Sequence, residues 1–182
     1  MEQVWRSVRP LLPLIPLGLL AVAIAILGLT IVRLRHGIPR STALSSSVLD
    51  VTLTASIVSV LILTLPPSIG SPRTVNIVPF AELRHAVGDY GVSQLAGNAI
   101  MFMPFGFLAP LRWHRLDSVF RIVAASAAFS VLVELLQFIL PTGRQTSVTD
   151  VFMNVVGATA GYLAMLALRG LARRVPAATG IP

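Results

Sequence analysis

The chain has 182 residues, of which 55% are hydrophobic and 12% charged, and its mean hydropathy is +0.83. A soluble domain carries about a quarter charged residues, so the composition indicates a polytopic membrane protein. The 14 arginines and seven acidic residues give a net charge of +7, carried by short connections, which favours membrane lipids over nucleic acid as partners. The absence of cysteine excludes disulfides and thiolate catalysis.

Five apolar runs are long enough to cross a bilayer core of about 30 Å as helices, at about 1.5 Å per residue. In chain order they are Leu11–Val32, Val48–Leu65, Leu95–Leu111, Val119–Leu140 and Val148–Leu168. The predicted fold is therefore all-α, a polytopic membrane helix bundle of about five transmembrane helices.

The connections between these runs differ in character. Residues 33–47 form a basic loop, and the proline pair at 66–67 ends the second run. Residues 68–93 mix apolar with charged side chains, which predicts an interfacial or re-entrant segment between spans 2 and 3. We expect three regions: an N-terminal transmembrane helix and basic loop (1–47), a transmembrane domain (48–168) and a basic, disordered C-terminal tail (169–182).

The distribution of arginines predicts the orientation in the plasma membrane. Five spans place the termini on opposite sides, with nine of the 14 arginines on the side of the C-terminus. The five on the side of the N-terminus are Arg6, Arg9, Arg73, Arg84 and Arg144. The positive-inside rule then puts the N-terminus outside and the C-terminus in the cytoplasm.

The most unexpected polar residues fall in the last two spans and the turn between them. Each ionisable group inside a bilayer costs roughly 2.5–3.5 kcal/mol on insertion scales, so such groups are functional or paired. Glu134 and Gln137 are three residues apart, and Asp150 and Asn154 four apart, so each pair shares a helix face. In the predicted orientation, one ligand-binding site at the outer leaflet collects Asn76, Asn98, Glu134, Gln137, Arg144, Asp150 and Asn154.

The start of the fifth span carries helix-start signals. Asp150 suits the positive end of the helix dipole in the first turn, and Ser147 or Thr149 suits the N-cap. Further along, Gly157 and Gly161 form a small-residue pattern that lets another helix approach closely. The short turn makes span 4 the expected neighbour.

These residue types allow three interpretations. The first is a structural network that fixes the last two spans. The second is a binding site in which Arg144 contacts a phosphate or carboxylate. The third is catalysis, with Glu134 or Asp150 as general base. The three histidines lie on different connections, so we predict neither a metal site nor a cofactor.

Four blocks of the sequence resemble the VanZ-like family of small multi-pass membrane proteins. They are NIVPF (76–80), GNAIMFMPFGFLAPL (97–111), VELLQ (133–137) and GRQTSVTDVFMNVVGATAGY (143–162). The blocks follow the family's order and lie between Asn76 and Leu168, about half the chain. The residues that match the family's pattern are Asn76, Pro79, Phe80, Asn98, Phe102, Pro104, Gly106, Glu134, Gln137, Arg144, Asp150, Asn154 and Gly157.

The resemblance implies a role in resistance to the glycopeptide teicoplanin, without alteration of the peptidoglycan precursor. The family has no settled biochemical activity. Between Arg144 and Asp150 the family often has an acidic or hydrophobic residue, whereas this chain has the more polar QTSVT. The leading hypothesis is an envelope protein that binds a lipid-linked or glycopeptide-type ligand. The alternatives are an enzyme acting on an envelope lipid, with Glu134 and Asp150 as acid and base, and a structural membrane partner subunit.

Overall fold

A computed structural model describes residues 14–65, 75–76, 80, 89–140 and 146–174 of the chain. Within these ranges lie five long helices: α1 (Leu14–Arg35), α2 (Arg40–Thr64), α3 (Asp89–Arg112), α4 (Val119–Ile139) and α5 (Val148–Arg174). A short 3-10 helix, His114–Leu116, lies between α3 and α4. Two short strands, β1 (Val75–Asn76) and β2 (Thr146–Ser147), pair in parallel. The predicted all-α bundle is confirmed.

Four helices of the described ranges are long and apolar enough to cross a membrane: α1 from Ile15, α2, α4 and α5. The remaining helix, α3, has 24 residues and contains Pro104 and Pro110. Its length is sufficient for a crossing, at about 1.5 Å per residue. The count of five helices agrees with the five predicted spans, and four of them have the composition of a membrane span.

The chain divides into two compact units, Met1–Ala55 and Ser56–Pro182. In the first unit, the predicted loop over residues 33–47 is wrong, because α2 already begins at Arg40. The turn needs only a few residues, since Gly37 adopts a φ of +79° after the end of α1.

Polar residues at the start of α2 are satisfied inside the helix hairpin, which explains the early start. Ser46 donates a hydrogen bond to the carbonyl of Thr42, one turn back. The Arg33 guanidinium of α1 forms an ion pair with Asp50 and donates to the hydroxyls of Ser46 (2.9 Å) and Ser47 (3.0 Å). The charge of α1 is therefore satisfied by an acidic and two hydroxyl side chains on the facing side of α2.

In the second unit, α3 and α5 run parallel with their backbones in contact. A Cβ added to Gly157 would lie 1.9 Å from the Ala99 carbonyl oxygen, and one added to Gly161 would lie 2.0 Å from that of Met103. A step of four residues along α5, from Gly157 to Gly161, corresponds to a step of four along α3, from Ala99 to Met103. The two helices therefore run in the same direction. The close neighbour predicted for these glycines, span 4, is wrong: it is α3.

The helix α4 packs its polar side inward and its apolar side outward. Its buried residues include Ser126, Ser130, Glu134 and Gln137, whereas Phe120, Leu132, Leu135 and Phe138 are exposed. An apolar contact with α3 is supplied by Phe129, whose ring lies 5.2 Å from that of Phe102 and 5.5 Å from that of Phe105. This arrangement suits a helix whose outer face contacts lipid.

The helix α5 continues beyond the predicted end of its span at Leu168, as far as Arg174. Residues 169–174 are therefore helical and do not belong to a disordered tail. The reason is a contact at this end, because Arg169 donates a hydrogen bond to Asp117 at 2.9 Å. The rest of the predicted tail, residues 175–182, lies outside the described residues.

Candidate polar site at the start of the last helix

The N-terminus of α5 is capped by Ser147. Its hydroxyl oxygen accepts a hydrogen bond from the Thr149 N–H at 3.1 Å, and Asp150 lies in the first turn. An N-cap hydroxyl satisfies one of the N–H groups that a helix start leaves without a partner. Of the two cap residues that the sequence allows, the structure selects Ser147, and the predicted position of Asp150 in the first turn is confirmed.

Glu134 joins α4 to this cap. Its Oε2 accepts a hydrogen bond from the Ser147 N–H at 3.2 Å, and the side chain is buried. In a common capping arrangement, the carboxylate three residues after the cap accepts this bond. Here that residue is Asp150, but the Ser147 N–H donates to Glu134 of another helix. The last two spans are thereby fixed to each other where the turn between them ends.

Asp150 makes its contact with α3. The Asn98 Nδ2 donates a hydrogen bond to Asp150 Oδ1, and both side chains are half-buried. The contact links α3 and α5 on the side where α5 begins. The two carboxylates therefore contact different helices: Glu134 of α4 binds the cap of α5, and Asp150 of α5 binds α3.

Three described residues that precede α3 also contact the start of α5, through their backbones: Val75, Asn76 and Phe80. The register pairs Val75 with Thr146 and Asn76 with Ser147. A little further on, the Phe80 N–H donates to the buried hydroxyl of Thr149 at 2.8 Å. Asn76 and Phe80, the first and last residues of the NIVPF block, therefore lie next to the start of α5.

Phe80 adopts a left-handed backbone conformation, with φ of +58°. That conformation costs a non-glycine residue roughly 1–2 kcal/mol. The hydrogen bond to Thr149 and an edge-to-face contact with the Phe152 ring, at 5.5 Å between centroids, hold it in place. Two side chains of α5, those of Thr149 and Phe152, thus hold one strained residue beside the start of that helix.

Two other predicted residues lie in contacts of their own. The Gln137 Nε2 donates to the Thr64 carbonyl at the end of α2, at 2.8 Å. The Asn154 Nδ2 donates to the Ser130 hydroxyl of α4 at 2.8 Å, whereas its buried Oδ1 has no hydrogen-bond partner among the described residues. A buried acceptor without a donor costs roughly 1–3 kcal/mol, so Asn154 is the least satisfied polar side chain of the group.

The predicted site residues therefore divide into three sets. Asn98, Glu134 and Asp150 gather around the cap of α5, together with Ser147 and Thr149, which the sequence indicated as cap residues. Asn154 and Gln137 bind Ser130 and Thr64. Arg144 and the side chain of Asn76 lie outside the described residues. We call the five residues around the cap the polar junction: Asn98, Glu134, Ser147, Thr149 and Asp150.

Sequence reasoning missed Ser130, although a signal existed. Ser126, Ser130 and Glu134 are spaced by four residues on α4 and are all buried. Repeated polar residues at helical spacing in an apolar run indicate a face turned toward other helices. No cluster of three or more histidine, aspartate or glutamate side chains suited to a metal ion occurs in the ranges that the structure describes.

A second polar cluster, which the sequence did not single out, lies at the other end of α4. The Asp117 carboxylate accepts hydrogen bonds from Arg169 (2.9 Å) and from the Tyr162 hydroxyl (3.2 Å). The hydrogen bond from Arg169 is the largest cause that lowers the pKa of Asp117 below its usual value. His114 Nδ1 is 3.9 Å from the same carboxylate, and its side chain is exposed.

Fold and site together define a polytopic helical membrane protein whose polar residues gather at the start of its last helix. The family model of VanZ/LLP1 matches residues 19–169, and the chain belongs to this family. The match extends the resemblance to α1 and α2, which lie before the four blocks. Comparisons with curated proteins and with solved structures found no match.

Proposed function

We propose that the protein is a VanZ-like protein of the cell envelope whose polar junction binds a lipid-linked or glycopeptide-type ligand from the outer leaflet. The expected consequence is a reduced action of glycopeptides such as teicoplanin. The observation that carries the proposal is the convergence of three segments on the cap of α5. Glu134 of α4, Asn98 of α3 and the backbone of Phe80 all bond within the first turn of α5 or at its cap.

The chemistry of these groups suits such a ligand. Carboxylates and side-chain amides bind hydroxyl, amide and ammonium groups, which the sugars and peptides of envelope precursors and glycopeptides carry. The start of a helix favours anions such as phosphate. We propose that the Arg144 guanidinium binds the phosphate bidentately, with two parallel hydrogen bonds. A junction built from several helices fixes these groups relative to one another.

Glu134→Gln and Arg144→Ala test the proposal in a glycopeptide-sensitive bacterium. Glutamine has nearly the same shape and keeps an oxygen that can accept the Ser147 N–H, so only the charge is lost. We expect the wild-type protein to raise the minimal inhibitory concentration of teicoplanin, and both variants to lose most of this effect at equal membrane abundance. Asp117→Asn makes the same change of charge at the other end of α4, and should keep the effect when normalised to abundance.

The outcome also decides between binding and a purely structural role. The structural alternative is favoured by one observation: Glu134, Asp150 and Gln137 each bond to a different neighbouring segment. If Glu134→Gln and Arg144→Ala both lower abundance and melting temperature together with the phenotype, the junction is structural. If both variants have the wild-type phenotype at equal abundance, the binding proposal is wrong.

A further inference from the structure

The second unit carries a strong excess of positive charge at the end opposite the polar junction. Six arginines lie there, in two groups from distant parts of the chain: Arg112, Arg115 and Arg121 around the turn from α3 to α4, and Arg169, Arg173 and Arg174 at the end of α5. Residues 112–121 and 169–174 contain one acidic residue, Asp117, so the formal charge of these two stretches is 6 − 1 = +5. We call these two stretches the basic end.

Asp117 joins the two groups into one surface. Its carboxylate accepts the hydrogen bonds of Arg169 and Tyr162, so that the turn is attached to the last turns of α5. Within the turn, Arg121 donates to the carbonyl of Arg115 at 3.0 Å. The side chains of Arg115, Arg173 and Arg174 are exposed. The ion pair of Asp117 thus neutralises one charge and leaves an arginine-rich surface around it.

The position of the basic end identifies the partner. Both α4, which begins at Val119, and α5, which ends at Arg174, have the length and composition of membrane spans. Helix ends of this kind lie at the head-group level. Trp113, in the same turn, has an exposed side chain, and tryptophan prefers that level of the membrane.

From this placement we infer that the basic end is a binding surface for the phosphate-bearing head groups of anionic phospholipids. Arginine binds phosphate with two parallel hydrogen bonds, and its charge gains about fivefold in affinity per residue near an anionic membrane surface. A lipid, and not free phosphate, is the partner, because the arginines surround an interfacial tryptophan at the ends of two spans. The inference concerns residues outside the polar junction and does not depend on the proposed function.

The two tryptophans of the chain allow a local test. In a Trp5→Phe background, Trp113 is the sole tryptophan, and brominated lipids that come close quench its fluorescence. The full-length protein is reconstituted in phosphatidylcholine vesicles with a small equal fraction of brominated phosphatidylglycerol or brominated phosphatidylcholine. We expect phosphatidylglycerol to be enriched several-fold near Trp113. Raising NaCl to about 1 M should remove most of the enrichment, because it shortens the screening length to about 3 Å.

Matched variants separate charge from shape. Arg173→Gln with Arg174→Gln removes two exposed charges that take no part in the Asp117 cluster, and should remove most of the several-fold enrichment. Arg173→Lys with Arg174→Lys keeps both charges and should retain it. Circular dichroism melting must be the same for both pairs. Equal quenching by the two lipids in the wild type, or an unchanged enrichment in the glutamine pair, would overturn the inference. An equal loss in the lysine pair would also contradict it.

Discussion

At the scale of single residues, Asp117 is a carboxylate outside the membrane spans whose hydrogen bonds change its pKa. It receives hydrogen bonds from Arg169 and Tyr162, and its pKa is lowered, chiefly by the hydrogen bond from Arg169. A carboxyl group whose pKa is lower in the folded state adds stability above its unfolded pKa, near 3.9, and loses that contribution as pH falls through the folded value. Its stabilising effect should therefore be constant near neutral pH and decline only below about pH 4.

Asp117→Asn should lower the free energy of unfolding by about 1 kcal/mol at pH 7, the usual size for a partly exposed charged pair. Thermal unfolding in mild detergent, followed by circular dichroism between pH 7 and pH 3.5, measures this. The difference in melting temperature between wild type and variant should stay constant from pH 7 to pH 5 and shrink below pH 4. Arg173→Gln, which removes an exposed charge from α5, the helix that carries Arg169, serves as control. A difference that disappears already above pH 5 would contradict the assignment.

At the scale of elements, the contact between α3 and α5 depends on glycines. Gly157→Ala would place a Cβ 1.9 Å from the Ala99 carbonyl oxygen, so the two backbones would have to separate. Overpacking of this kind typically costs about 1–3 kcal/mol and occasionally more. We expect a lower melting temperature and less protein in the membrane. The measurement is thermal unfolding of the purified variant, together with its abundance in isolated membranes.

Gly170→Ala is the matched control, because it lies in the same helix with no heavy atom within 4 Å of an added Cβ. Alanine favours helix over glycine by about 1 kcal/mol, so this variant should be as stable as wild type or slightly more stable. If Gly157→Ala behaves like Gly170→Ala, the close contact between α3 and α5 is wrong.

The same contact shows which part of helix packing a sequence can predict. The spacing of Gly157 and Gly161 indicates a face of small residues, since a stripe of i and i+4 positions is set by the helix period. It does not identify the helix on the other side. The short turn before α5 made α4 the expected neighbour, but α4 contacts α5 elsewhere, through polar pairs such as Ser130 with Asn154.

For the candidate site, too, the sequence predicted which residues take part but not which partners they bind. Asn98, Glu134 and Asp150 were recognisable because polar groups inside apolar spans are costly, and they do gather around one helix start. Their individual partners were not predictable, since a carboxylate can be satisfied by a backbone N–H, as Glu134 is, or by an amide on another helix. Asp117 and Arg33 lie at span ends, where a charge needs no partner, so nothing in the sequence marked their ion pairs in advance.

At the scale of the whole molecule, the number of membrane crossings depends on α3, the one long helix in the described ranges that does not have the composition of a candidate span. Its backbone contacts α5, which has that composition, at positions that advance together along both helices. α3 and α5 therefore begin on the same side, and residues 113–118 connect the far end of α3 directly to α4. A helix packed in this way against a membrane span occupies the same depth, so we infer that α3 crosses as well.

Five crossings predict termini on opposite sides of the membrane, and the arginine distribution predicts that the N-terminus is outside. The chain has no cysteine, so Gln3→Cys, Gln145→Cys and Ala177→Cys each introduce one labelling site. An impermeant maleimide applied to intact cells should label the cysteines at positions 3 and 145. The cysteine at 177 should react only after permeabilisation. Labelling of 3 and 177 from the same side would mean an even number of crossings and would contradict the count of five. Protection of 145 in intact cells would place the turn before α5 in the cytoplasm, where a ligand of the outer leaflet cannot reach the polar junction.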